Sequence, residues 1–262
     1  MYAQLICFLH LFTSVLSSSV STAQHVPRPT QCDGTDPYHF DWRECGGVSP
    51  VKDQGQCNSC WAFSAIANIE SQFWMQGYPC ILSEQFLLDC NTMGAGCDSV
   101  HHVGVVHIFA DIIANLGGVP KDSNYQPYNQ SRHQCPQTKP PLLNVIGMER
   151  IKPRDEDAMA KALREHGPLS AGINDKMMLM PRKPLDIDEP TEEQCPPEKR
   201  NHAVLIVGYS VAYSPDGRTV PYWIIKNSWG TKGWGGDEGY YYLRRGTNAC
   251  GIAIDASYTK VA

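Results

Sequence analysis

Three side chains far apart in the chain have the types that a nucleophilic thiol site needs. Cys60 lies in the run Gln54-Gly55-Gln56-Cys57-Asn58-Ser59-Cys60-Trp61-Ala62-Phe63-Ser64, where a polar loop leads into a helical apolar pattern. A thiol at a helix N-terminus meets the positive end of the macrodipole, which favours the thiolate, the nucleophilic form. At mildly acidic pH a thiolate persists only beside a cation. An imidazolium provides one and can later protonate a leaving amine. His202, in Asn201-His202-Ala203-Val204, is the candidate. The imidazole in turn needs one tautomer and one orientation, which a side-chain amide oxygen imposes by accepting its N–H. Asn227, in Tyr222-Trp223-Ile224-Ile225-Lys226-Asn227-Ser228-Trp229-Gly230, is the candidate for that role.

Other chemistry fits these residues less well. Cys57 and Cys60 have the spacing of a redox pair or of half a zinc site. The first needs a βαβ context and the second a matching pair elsewhere, and the sequence offers neither. His101, His102 and His107 form no clean i, i+4 ligand pair, so they read as a solvated or buried face. No metal and no cofactor is expected.

The elements that must carry these residues follow from periodicity. Over 62–76 the apolar residues recur at Ala62, Ile66, Ile69 and Phe73, a helical period. Gly77 and Pro79 end it. Ser83 is the cap candidate of a short helix over 83–90, and a third helix is expected over about 103–115, before Gly117-Gly118. The second half changes character: 203–209, 222–227 and 239–244 are β-rich runs between Gly, Pro and Asp turns, with one helix over 155–165. A helical front and a sheet-rich back predict an α+β fold of two lobes.

The chain has 262 residues and a net charge of −5, which gives no electrostatic footprint for nucleic acid. Residues 1–23 read as a secretory leader: 5–16 are mostly apolar, and Ser21, Thr22 and Ala23 are small. The apolar run is too short for a membrane span, and no later stretch could form one. Of eleven cysteines only Cys7 falls in the leader, so disulfides in an oxidising compartment are expected. Residues 24–40 read as a polar arm. The folded domain is 41–262, mainly helical over about 41–145 and mainly β over about 146–262. Asn129-Gln130-Ser131 is either a glycosylation sequon or a chance match in a polar loop.

In these motifs and their order the chain resembles the papain/cathepsin family of cysteine peptidases, from about Asp41 to the C-terminus. The resemblance implies a helical left lobe, a β-barrel-like right lobe, and an active-site cleft between them. It implies hydrolysis of peptide or protein substrates, cystatin-type inhibitors as partners, and a location in the secretory pathway, extracellular or lysosomal/vacuolar. By the same resemblance Cys60 is the nucleophile, His202 the proton shuttle and Asn227 its orienting group. The Gln54 amide and the Cys60 backbone N–H bind the oxyanion, and Trp229 shields the His202–Asn227 hydrogen bond at the substrate cleft. The implied disulfides are Cys57–Cys97, Cys90–Cys135 and Cys195–Cys250. Cys32, Cys45 and Cys80 remain, and which two of them pair is open. Asp255, five residues after Cys250, would stand at the floor of the main substrate pocket, where a carboxylate accepts Arg or Lys as well as an apolar side chain. The competing reading is a solvent-facing aspartate.

The chain departs from the family pattern in four places. No long inhibitory prosegment is recognisable ahead of Asp41. The family's Cys-Asn-Gly-Gly is replaced by Cys97-Asp98-Ser99-Val100. Glycines there let a substrate backbone approach closely, so Ser99 and Val100 are expected beside the substrate, with Val100 crowding it. Asn58 replaces a glycine, and Asn tolerates left-handed backbone angles. Residues 175–200 are rich in Pro, Met and charge, and read as a rebuilt surface loop bordering His202. These departures motivate the alternative of a secreted binding or regulatory protein on a peptidase scaffold with weak or no proteolysis. An exopeptidase or transpeptidase is the third reading.

Overall fold

The computed structural model describes residues 32, 34–98, 104–183, 185–213 and 217–262. The expected leader, most of the polar arm, and Ser99, Val100, His101 and His102 lie outside them. Among the described residues no helix is long and apolar enough to cross a membrane.

One lobe is helical. Helix α1 (Cys60–Met75) begins at Cys60 itself, earlier than the expected start at 62. Its small residues Ala62 and Ala65 and its branched Ile66 and Ile69 are all fully buried, so α1 is enclosed on several sides. Helix α2 (Glu84–Cys90) is capped by Ser83, whose Oγ accepts from Phe86 N at 3.2 Å. Helix α3 (Val105–Asp111) runs into a π-helical turn at Ile112–Leu116, which Gly117 closes at φ 82°. Phe86, Leu87, Leu88, Ile108 and Phe109 join α1 in one core.

The other lobe is a sheet wrapped on a second core. A ribbon of β2 (Val119–Pro120) and β3 (Leu142–Leu143) packs on the helical lobe's core, and the β lobe is built from β1 (Phe40–Asp41), β4 (Val145–Arg150), α4 (Glu156–His166), β5 (Leu169–Ile173), β6 (Ile187–Asp188), β7 (His202–Tyr213), β8 (Thr219–Lys226), β9 (Tyr240–Arg244) and β10 (Ser257–Val261). The main sheet runs β4-β10-β5-β7-β8-β9-β6, with β1 also on β7, while β2 and β3 pair separately. Trp223, Tyr209, Tyr241, Met159 and Leu163 fill its core. This is the α+β arrangement of two lobes that the helical front and sheet-rich back of the sequence predict.

Two segments differ from their reading in the sequence. Phe40 and Trp42, at the junction of the polar arm and the helical half, are buried in the β lobe, where Phe40 pairs with Tyr209. The approach is close because position 208 is glycine: a Cβ there would stand 2.5 Å from the Phe40 carbonyl oxygen. Within 175–200, read as a loop, Ile187–Asp188 adds a strand parallel to β9. Asp188 anchors it by accepting from Arg182 Nη1 at 2.9 Å and from Tyr241 OH at 2.8 Å.

Among the described residues, four disulfides join Cys32–Cys45, Cys57–Cys97, Cys90–Cys135 and Cys195–Cys250. Cys60 and Cys80 are the free thiols among the described residues.

Candidate active site

The site lies where the N-terminus of α1 faces the start of β7. Cys60 opens the helix, half-buried, and His202 opens the strand, pairing through its backbone with Ile173 of β5. The His202 ring stands close enough to the Cys60 thiol for the charge of each to act on the other. On the far side of the ring, Nε2 lies 2.7 Å from Asn227 Oδ1. The same oxygen accepts from Ser228 N at 2.8 Å. Two donors converging on one atom identify it as the amide oxygen, so His202 carries its proton on Nε2 and turns Nδ1 to the thiol. Trp229 stands over the imidazole at 4.8 Å between ring centres, and Trp234 packs edge-on against Trp229 at 5.5 Å.

The electrostatics follow from this geometry. Burial raises the Cys60 thiol, but the His202 charge, its hydrogen bond and the backbone of Ala203 and Trp61 outweigh that and hold it below its ordinary value. Burial disfavours the charged imidazole, yet the Cys60 thiolate, with hydrogen bonds to Cys60 and Asn227, raises His202 above its ordinary value. Opposite shifts on two adjacent groups describe a thiolate–imidazolium pair. Cys80 behaves in the opposite way: burial, with the nearby Glu70 carboxylate, pushes that thiol up to about 11.

Gln54 belongs to the same site. Its Nε2 donates to Cys57 O at 2.8 Å, and its Oε1 accepts from Ser228 Oγ at 2.6 Å. A side-chain amide nitrogen carries two hydrogens, and the bond to Cys57 O uses one of them. Ser228, not singled out in the sequence, touches both Asn227 and Gln54. Its only signal was adjacency to Asn227.

The remaining candidates have other settings. Asp255 is half-buried (19% side-chain exposure), with Oδ1 3.5 Å from Arg150 Nη2. Its Oδ2 faces Gly104 at the start of α3, where a Cβ would lie 3.0 Å away. The carboxylate thus lies between Arg150 and the start of α3. Ser99 and Val100 fall outside the described residues. Asn58 is exposed, and its N donates to Cys97 O at 3.0 Å. Its φ is not positive, so left-handed tolerance is not what admits Asn there. Among the described residues no group of His, Cys, Asp and Glu could hold a metal ion.

A thiol held low beside an imidazole held high is the arrangement of a nucleophilic-cysteine site. Residues 36–260 match the family described as papain family cysteine protease, and the chain belongs to that family. It is 38% identical over 232 residues to cathepsin F of Drosophila melanogaster, covering 87% of this chain and 36% of that protein. It is 40% identical over 223 residues to a cysteine proteinase of Trypanosoma brucei brucei, covering 83% of this chain and 46% of that one. The chain thus spans less than half the length of either relative. Among solved structures it is similar to the bromelain protease from Ananas comosus in complex with the E64 inhibitor, with TM-score 0.73 and 33% identity over 87% of this chain and 100% of that one. It is also similar to digestive procathepsin L2 from the Tenebrio molitor larval midgut, with TM-score 0.73 and 35% identity over 86% of this chain and 69% of that one.

Proposed function

We propose that this chain is a cysteine-type endopeptidase acting on peptide or protein substrates. The observation that carries the reading is the Cys60–His202 pair, its thiol lowered and its imidazole raised, with Asn227 hydrogen-bonded to the far nitrogen of the ring. The Cys60 sulfur attacks the peptide carbonyl carbon, and the carbonyl oxygen becomes an oxyanion facing the Gln54 amide and the Cys60 N–H. His202 gives its Nδ1 proton to the leaving amine as the C–N bond breaks, leaving a thioester on Cys60. Neutral His202 then takes a proton from water as the water attacks the thioester, and the acid product leaves with the thiolate restored. Asn227 orients the ring throughout, and Trp229 keeps water from their hydrogen bond. The four disulfides fit an oxidising compartment. We assign the protein to the secretory pathway, destined for an extracellular or lysosomal/vacuolar site, with cystatin-type proteins as inhibitors of the cleft.

The test is covalent. An epoxide inhibitor of the E64 type is expected to label Cys60 and not Cys80, located by peptide mass spectrometry, and Cys60→Ala abolishes turnover of a peptide library. Labelling of Cys60 without cleavage of any library member would replace the endopeptidase reading with a binding protein on a peptidase scaffold.

Asp255 extends the proposal to selectivity. We place its carboxylate at the floor of the main substrate pocket, where a substrate guanidinium competes with Arg150 for it. Asp255→Ala is expected to lower kcat/KM about tenfold for substrates with Arg at the second residue before the scissile bond, the worth of one charge-assisted hydrogen bond. Matched Leu substrates keep their rate. Equal losses on both would remove Asp255 from the pocket.

A further inference from the structure

The two proposed oxyanion donors sit at opposite ends of one short loop. Gln54 opens it, and Cys60 follows its last residue, Ser59. An oxyanion is stabilised only when both donors stand about 2.7–3.1 Å from the place where charge develops. The span between Gln54 and Cys60 must therefore be fixed before the reaction. The Cys57–Cys97 disulfide and the Asn58 N bond to Cys97 O hold the middle of the loop, not its ends.

A side chain from a distant segment bridges those ends. The Tyr128 hydroxyl lies 2.9 Å from the Gln54 carbonyl oxygen and 2.7 Å from Ser59 Oγ. A carbonyl oxygen only accepts, so the single phenolic hydrogen goes to Gln54 and the Ser59 hydroxyl must donate to Tyr128. The result is one directed series, Ser59 O–H to Tyr128 O–H to Gln54 C=O. The phenol is held by α1 itself: its ring meets Phe63 edge-on at 4.9 Å between centres. Burial above all, aided by the negative Glu84, Asp53 and Cys60 and opposed by the Ser59 hydrogen bond, pushes Tyr128 up to about 12, so it stays a donor. Two residues on, Gln130 Oε1 accepts from Gln56 N at 2.7 Å. A Cβ at Gly55, whose φ is 60°, would overlap the Gln130 amide.

We infer that Tyr128 is a positioning residue of the oxyanion site, setting the distance between Gln54 and the Cys60 N–H by pinning both ends of the loop that joins them. The inference rests on the peptidase reading for its consequence in turnover, but not for its effect on the binding of a tetrahedral adduct.

Three measurements on Tyr128→Phe test it. The first is kcat and KM on a fluorogenic peptide amide. The second is affinity for a peptide aldehyde, whose thiol adduct places an oxygen where the oxyanion forms. The third is the pH profile of alkylation by iodoacetamide, in which sulfur displaces iodide and no oxyanion arises. The expected result is kcat down about tenfold or more with KM within about twofold, against the larger loss when a donor is deleted outright. Aldehyde affinity falls by a similar factor, and the alkylation profile does not move. In a Gln54→Ala background the same substitution costs less than about twofold, because it acts through Gln54. Alkylation falling in step with hydrolysis, or a full loss persisting without Gln54, would reduce Tyr128 to a structural role and overturn the proposal. Ser59→Ala cuts the same series at its other end and is read in the same way if Tyr128→Phe is not recovered folded. If the wild-type protein is alkylated at Cys60 but cleaves no peptide, the endopeptidase reading fails while aldehyde affinity still decides the role of Tyr128.

Discussion

Replacing His202 by alanine is expected to lower kcat/KM by about 10⁴-fold or more, the scale on which other acid–base-supported nucleophiles lose activity. The diagnostic part of the result is its pH dependence. In the wild-type protein the thiol is held low and the imidazole high, so thiolate and imidazolium coexist between the two titrations. Alkylation of Cys60 therefore rises as pH climbs through the lowered thiol value. Peptide hydrolysis falls again as pH passes the raised imidazole value, where the proton needed by the leaving amine is gone. Without His202 the thiol loses its main lowering influence and keeps the burial that raises it. Alkylation should then need distinctly more alkaline pH, on a single limb. Asn227→Ala leaves the imidazole present but free to turn, so its loss is smaller than that of His202→Ala, with the acid limb nearly in place. The measurement is the iodoacetamide rate against pH in all three proteins. A His202→Ala profile that overlays the wild type would rule out the thiolate–imidazolium pair.

The chemistry was legible in the sequence for a local reason. Cys60, His202 and Asn227 each sit in a short run whose composition marks an element end: a polar loop entering a helix, the first residue of an apolar strand, the end of another. Helix α4 was legible likewise, because Asp155 caps it through Ala158 N at 2.9 Å. Strands β4, β5 and β10 were not. Leu169–Ile173 carries Ser170 and Gly172, and Val145–Arg150 carries Gly147 and two charged residues, so neither shows clean alternation. They become strands because neighbours pair with them, Ala171 with Val204 and Tyr258 with Glu149. Tyr128 and Arg150 were invisible as site residues for a related reason. Their partners, Gln54 with Ser59 and Asp255, are remote in the chain, and a tyrosine or arginine in a polar segment has no local mark of such a contact. Glu70 is the sharpest case. The apolar spacing over 62–76 does not include it, yet Glu70 is fully buried.

That burial sets up the second large effect. Glu70→Ala is expected to cost about 3–5 kcal/mol of stability, the scale for removing one partner from a buried ion pair. Glu70 Oε1 accepts from Lys52 Nζ at 2.7 Å and from Leu82 N at 2.8 Å, while Oε2 accepts from Ser49 Oγ. Lys52 also reaches Glu84 Oε1 at 2.6 Å and Leu82 O at 3.1 Å, which uses all three of its hydrogens. Ser49 Oγ accepts in turn from Lys226 Nζ at 2.9 Å, and burial above all holds that ammonium down to about 8 even with Glu70 near. Alanine would leave the Leu82 N–H without its acceptor and Lys226 without a nearby carboxylate that favours its charge. Glu70→Gln keeps a carbonyl oxygen for Leu82 and should lose less. Glu149→Ala, which breaks an exposed pair with Lys260 at 2.8 Å, should leave the urea midpoint unchanged, because solvent screens that pair. If Glu70→Ala shifts the midpoint no more than Glu149→Ala, the cluster does not hold the lobes. Its position also predicts an order of events. Lys226 immediately precedes Asn227, and Lys52 lies two residues before Gln54, so the cluster anchors the segments that carry both the ring-orienting amide and the proposed oxyanion donor. In Glu70→Ala, activity should therefore fail at lower urea than tryptophan fluorescence reports global unfolding, while in the wild type the two midpoints lie closer together.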